Sequence, residues 1–159
     1  MRVQNAHIQS FSFFDFYFSF YILYLCRREQ ILNVVMTKED IKRLKADSDG
    51  LLTYEYIANN IDSDELELDW LVDNVILVDL TGQFIASAAR YLHAIGPTRY
   101  AEQISKLVDA AIGKDREHKY LPDLLVGIYG KDYQDQAETL SATDDNFRRI
   151  YKRLFPQGF

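Results

Sequence analysis

A chain of 159 residues is long enough for one ordinary domain to bury a core without disulfides or metal, and its single cysteine, Cys26, has no partner for an intramolecular bridge. The formal net charge of −6 and a pI near 5.0 argue against general nucleic-acid binding, which depends on lysine and arginine neutralising phosphates, so no DNA partner is expected.

The chain opens on an unusual run. Phe11 to Tyr24 holds nine phenylalanines and tyrosines in fourteen positions, and nothing downstream resembles it. Asp15 and the serines interrupt it too often for a good membrane span, which needs about 20 apolar residues. A signal peptide would want a basic start, an aliphatic core and a small-residue cleavage site. Arg27 and Arg28 suit an anchor whose following segment lies in the cytoplasm. The preferred expectation is that residues 1–35 are not normally translated, since phenylalanine, tyrosine and isoleucine are what T- and A-rich upstream DNA yields when read in frame. Met36 is then the natural start. Thr37-Lys38-Glu39-Asp40 follows it, with threonine placed as N-cap and an acid at N3, close to a capping box. The expected organisation is therefore an aromatic-rich extension, 1–35, and a single helical domain, 36–159. The domain is expected in the cytoplasm, with anchoring through the aromatic segment as the alternative.

Removing Arg2, Arg27 and Arg28 from the 18 bases and Asp15 and Glu29 from the 24 acids leaves 15 and 22, so the domain alone carries −7. Its first helix, about Lys38 to Ala46, turns Ile41 and Leu44 inward and ends at Asp47-Ser48-Asp49-Gly50. That loop resembles part of an EF-hand calcium loop, with Asp47 and Asp49 at ligand positions. Lys45 then stands at the first ligand position and Tyr56 where a bidentate glutamate belongs, so a helix-turn-helix connection capped by Thr53 is preferred. Tyr54 to Ile61 reads as a short second helix. A DNA-reading helix pair over Thr53 to Leu71 is rejected, because Asp64, Glu65, Glu67 and Asp69 would meet phosphate. From a Ser63 cap, those acids suit the positive end of a helix dipole.

The stretch Leu66 to Ile95 is the most apolar of the domain. As one helix, Asp64 to Ile95 would span roughly 48 Å against an expected domain diameter of about 35 Å. Two helices broken at Leu80 to Gly82 are expected. The first is apolar on almost every side, as in a helix surrounded by others; the second is amphipathic, with Asp79, Gln83, Ser87, Arg90 and His93 opposite its apolar side. A buried strand over Val75 to Leu80 is the competing reading, but no second β-branched run of that strength exists to pair with it.

Gly96-Pro97 stops the second of these helices. Thr98 opens the next, with Tyr100, Ile104, Leu107, Val108, Ala111 and Ile112 as its stripe. Pro122 begins another, and a short helix with Tyr133, Ala137 and Leu140 follows. Gly-Lys-Asp occurs at 113–115 and again at 130–132, read as two similar helix stops rather than a repeat. The last helix takes Thr143 as cap and buries Phe147, Ile150, Tyr151 and Leu154, while Arg148, Arg149, Lys152 and Arg153 cover the rest.

The expected fold is all-α, a compact bundle of six to eight short helices around the central apolar pair. Candidate sites are two. Asp79, Gln83, Ser87, Arg90 and His93 lie within about 120° of helical arc and could line one cleft that holds an anion. Arg148, Arg149, Lys152 and Arg153 could meet an acidic partner, an anionic lipid surface or RNA, although dipole complementarity and pairing with the acidic stretch Asp62 to Asp73 of the same molecule would also explain their charge. His93 and His118 lack any zinc-ligand spacing, and neither a GxSxG turn nor a P-loop occurs, so no cofactor and no metal are expected. The expected function is a non-catalytic protein-interaction or regulatory module. The alternative is an enzyme or small anionic-ligand binder using the Asp79 to His93 face. Substrate, partner identity and oligomeric state are not encoded legibly in the residues.

Overall fold

The computed structural model describes residues 35–157, so the aromatic run and the candidate anchor lie outside the described residues. The described chain is all-helical, in eight helices: α1 (Lys38–Lys45), α2 (Leu51–Asn60), α3 (Leu68–Val78), α4 (Gln83–Ile95), α5 (Ala101–Lys114), α6 (Leu121–Tyr129), α7 (Ala137–Thr143) and α8 (Asp145–Leu154). Among the described residues there is no strand, and Val75 to Val78 is helical. No helix of the described residues is long and apolar enough to cross a membrane.

Local chemistry accounts for most of the boundaries. Thr37 and Asp40 form the expected capping box of α1, the threonine hydroxyl accepting from Asp40 N at 3.1 Å and the carboxylate accepting from Thr37 N at 3.1 Å. The bond from the Thr37 hydroxyl, with the one from its N–H, holds the Asp40 carboxyl below its ordinary value. At the calcium-like loop the carboxylate of Asp47 turns inward. Its Oδ1 accepts from Gly50 N at 3.1 Å and Asp49 N at 3.4 Å, and its Oδ2 from Thr53 N at 2.9 Å and the Thr53 hydroxyl at 2.8 Å. Asp47, not Thr53, is the acceptor here, and Thr53 is a donor inside α2, which begins at Leu51.

The predicted break between α3 and α4 is built the same way. Asp79 is fully buried. Oδ1 accepts from Gly82 N at 2.9 Å, Thr81 N at 2.8 Å and the Thr81 hydroxyl at 3.0 Å, and Oδ2 from Phe84 N at 2.8 Å and Ile85 N at 3.0 Å. The pattern recurs once more at Asp115, which accepts from Lys119 N at 2.9 Å, Tyr120 N at 2.7 Å and Leu121 N at 2.9 Å at the start of α6. In each loop the third residue after the aspartate is left-handed: Gly50 at φ 96°, Gly82 at φ 86° and His118 at φ 55°. Asp144 does a smaller version of this for α8, accepting from Phe147 N at 2.9 Å. Thr143 is the last residue of α7 rather than the cap. Ser63 likewise caps no helix: its hydroxyl accepts from Glu65 N at 3.4 Å in a turn, and α3 starts only at Leu68, so Asp64, Glu65 and Glu67 precede the helix.

The loops lie side by side. A Cβ on Gly50 would sit 2.9 Å from Cβ of Asp79, and one on Gly82 would sit 3.2 Å from the backbone nitrogen of Asp115. The Asp47 loop therefore lies against the Asp79 loop, and that one against the Asp115 loop, a recurrence that the Gly-Lys-Asp triplets do not mark. Helices α1, α3 and α5 pack in one layer and α2, α4 and α6 in a second, while α8 packs on both α5 and α6 and closes the stack. Polar side chains stitch the first layer. Asn74 of α3 donates to Leu44 O of α1 and to the Thr53 hydroxyl, both at 2.9 Å, and Lys114 of α5 donates to Asp79 O at 2.6 Å and to Ile76 O at the end of α3.

The core runs through all of this, with Leu44, Ile57, Leu71, Ile85, Leu92, Leu107, Leu124 and Phe147 fully buried. Each such side chain stabilises by roughly 1.5–3 kcal/mol. The α3 helix is not surrounded on every side, however. Leu77 is 74% exposed, although α1, α2, α4 and α5 all pack against α3.

Candidate functional site

The stripe predicted along α4 is divided by the fold. Asp79 lies before the helix and commits both carboxylate oxygens to its first turn. Gln83 Oε1 accepts from the Tyr120 hydroxyl at 3.2 Å, and the Ser87 hydroxyl donates to Gln83 O at 2.9 Å within its own helix. His93 is half-buried one turn beyond Arg90. Arg90 is the most constrained member. Its stem lies on α6 so closely that a Cβ on Gly127 would be 2.7 Å from Cγ and Cδ, which explains a glycine inside that helix. Nη1 lies 3.9 Å from the Asp123 carboxylate, and Nε is buried without an acceptor. Beside it, the Tyr54 phenol is pushed up by burial, an effect the Arg90 charge partly offsets. Tyr54 stacks on Phe84, centroids 6.2 Å apart, and meets Tyr91 edge-on. Arg90 thus lies against α6 and near Tyr54 of α2, Ser87 stands one turn before it on the same helix, and Asp79 lies outside the helix.

The C-terminal basic residues separate by role. Arg148 pairs with Asp145 and Arg149 with Asp109 of α5 at 2.5 Å, so neither reaches the acidic stretch Asp62 to Asp73. Lys152 and Arg153 are exposed on the outer side of the closing helix.

That acidic stretch borders a cleft of about 400 Å³ lined by Leu66, Glu67, Leu68, Asp69, Trp70 and Gln103. Leu66, Leu68 and Trp70 are half-buried and pack against the core, while Glu67 and Asp69 are exposed at its edge. Two turns of backbone shape it, Leu66 N donating to Ser63 O at 3.2 Å and Leu68 N to Leu66 O at 2.8 Å. Gln103 of α5 donates to Asp69 at 2.7 Å, and Lys106 pairs with Asp73 at 2.5 Å, so α3 is tied to α5 on this side. The bond that Lys106 donates to Asp73 raises the lysine pKa. Sequence reasoning missed this cleft because it placed residues 64–67 inside a helix; the signal was an apolar, aromatic run beside six acids.

No group of three or more histidine, cysteine or acidic side chains among the described residues is placed to hold a metal ion, and His118 is exposed in its loop. No protein-family model, curated protein or solved structure matches the chain.

Proposed function

We propose that the chain is a non-catalytic protein-interaction or regulatory module acting in the cytoplasm. The observation that carries this reading is the stack itself: α1, α3 and α5 in one layer and α2, α4 and α6 in a second, a layering like the one repeat proteins use to hold partners. The acids with most chemical promise in the sequence support it from the other side. Asp47, Asp79 and Asp115 are spent on helix starts, and Asn74 on joining α1 to α3.

The test is native mass spectrometry of the protein isolated from its own cells, soluble and membrane fractions separately, with cross-links mapped onto the helices. A stoichiometric complex in the soluble fraction is expected, with cross-links confined to one face. A free monomer in every fraction would overturn the reading, and a membrane species retaining residues 11–26 would overturn the compartment.

One observation favours a second reading, a small anionic ligand at Ser87 and Arg90: the Arg90 Nε has no acceptor and its nearest carboxylate stands off at 3.9 Å. Thermal stabilisation by inorganic phosphate, present in the wild type and absent in Arg90→Ala, would establish it. Equal response of the two proteins would remove it.

A further inference from the structure

We propose that the Leu66–Trp70 cleft is a docking site for a lysine- or arginine-bearing peptide segment of a partner protein. This rests on the interaction reading and names its partner class. Six acids fall between Asp62 and Asp73. Two are engaged across the α3–α5 seam, Asp69 by Gln103 and Asp73 by Lys106. The remaining four, Asp62, Asp64, Glu65 and Glu67, are exposed and meet no cation among the described residues. The chain has bases to spare in α8, yet Arg148 and Arg149 are paired elsewhere. Glu67 is the most telling of the four. It occupies the N-cap position of α3 but makes no capping bond, so its carboxylate is not employed by the helix it precedes.

In the cleft itself Leu66, Leu68 and Trp70 lie beside Glu67, Asp69 and Gln103. A guanidinium or ammonium entering the cleft would meet the Trp70 ring and the carboxylates of Glu67 and Asp69 together, while the stem of the same side chain covers Leu66 and Leu68. Tryptophan is among the residues that most often anchor an interface, and a cleft of about 400 Å³ suits one or two side chains of a partner segment. The surrounding charge would also speed the encounter with a basic chain.

Trp70 is the chain's single tryptophan, so its emission reports the site directly. The full chain is titrated with a nona-arginine peptide, and nona-glutamate serves as the control. Three proteins are compared: wild type, a cleft variant carrying Asp64→Asn, Glu65→Gln and Glu67→Gln, and a charge-matched variant carrying Asp132→Asn, Asp135→Asn and Glu138→Gln. All six positions are exposed, and thermal midpoints confirm that the variants stay folded. Saturable binding of nona-arginine is expected, weakened about tenfold in the cleft variant and unchanged in the charge-matched one. Equal weakening in both variants, or none in either, overturns the proposal. The native complex separates the two levels of inference. A partner lost by the cleft variant alone supports the site. One retained by it leaves the interaction reading standing and overturns this docking surface, and the lack of any stoichiometric partner overturns the interaction reading itself.

Discussion

Asp47, Asp79 and Asp115 show how one residue type carries much of this fold. Each is buried, and each uses both carboxylate oxygens to receive the unpaired N–H groups that begin a helix. Asparagine cannot replace them, since its amide offers one acceptor and would turn an NH2 toward N–H donors. Asp79→Asn is therefore expected to destabilise by about 2 kcal/mol and Asp79→Ala by about 3 kcal/mol, read from urea midpoints. The glycines beside them are as constrained. Gly50→Ala would combine a left-handed backbone with a Cβ 2.9 Å from Asp79, and a loss of about 2 kcal/mol is expected from the same measurement. Asp47 adds a pH dependence. Burial pushes its carboxyl up, but the N–H and hydroxyl of Thr53 and the N–H groups of Gly50 and Asp49 outweigh this, so its folded pKa lies below its ordinary value. Its contribution is complete above the unfolded value of about 3.9 and is lost as pH falls through the folded one. The stability gap between wild type and Asp47→Asn should accordingly narrow as pH falls from 5 toward 2 in acid titrations of the urea midpoint. The Asp47 loop looks calcium-like for a physical reason: an ion and a helix start both ask for carboxylate oxygens over a glycine turn. Only the direction of the oxygens, toward backbone nitrogen, separates the two.

At the level of helices, boundaries set by local chemistry were legible. The capping box at Thr37, the break at Asp79 to Gly82 and the proline in the first turn of α6 depend on residues a few positions apart. Ser63 and Thr143 misled because a hydroxyl in the right place marks a cap only if a helix begins there: Ser63 sits in a turn ahead of α3, and Asp144 rather than Thr143 caps α8. Contacts between helices were not legible. Lys114 reads as an ordinary dipole-complementing base, yet it reaches across to the carbonyl end of α3. Lys114→Met should keep the stem packed and lose those bonds, destabilising by about 1–2 kcal/mol in thermal or urea unfolding. Arg149→Ala removes only an exposed pair with Asp109 and should cost less than about 1 kcal/mol. A loss that small would show that α8 is held by its apolar side rather than by this pair.

For the whole molecule, α8 has the decisive position, because it covers the ends of both layers with Phe147 and Ile150 fully buried. Phe147 also meets Tyr129, Tyr133 and Tyr151 through ring contacts. Phe147→Ala is expected to cost about 3–5 kcal/mol and to speed hydrogen exchange first in α6 and α8, with α1 the last to respond. By itself the sequence determined the helical class, the number of helices to within two, the inward residues of the amphipathic segments and the acidic balance. Those properties follow from periodicity and short-range hydrogen bonding, which are written along the chain. The tertiary structure alone decided that the aspartate loops lie against one another, that Asp79 is withdrawn from the face it shares on a helical wheel, and that, among the described residues, the acids of Asp62 to Glu67 meet no cation while Arg148 and Arg149 pair elsewhere. The loop stacking and the Arg149 pairing depend on segments far apart in the chain, where side-chain reach in three dimensions, not spacing in one, decides; Asp79 turns on the direction of its carboxylate, which a helical wheel does not carry.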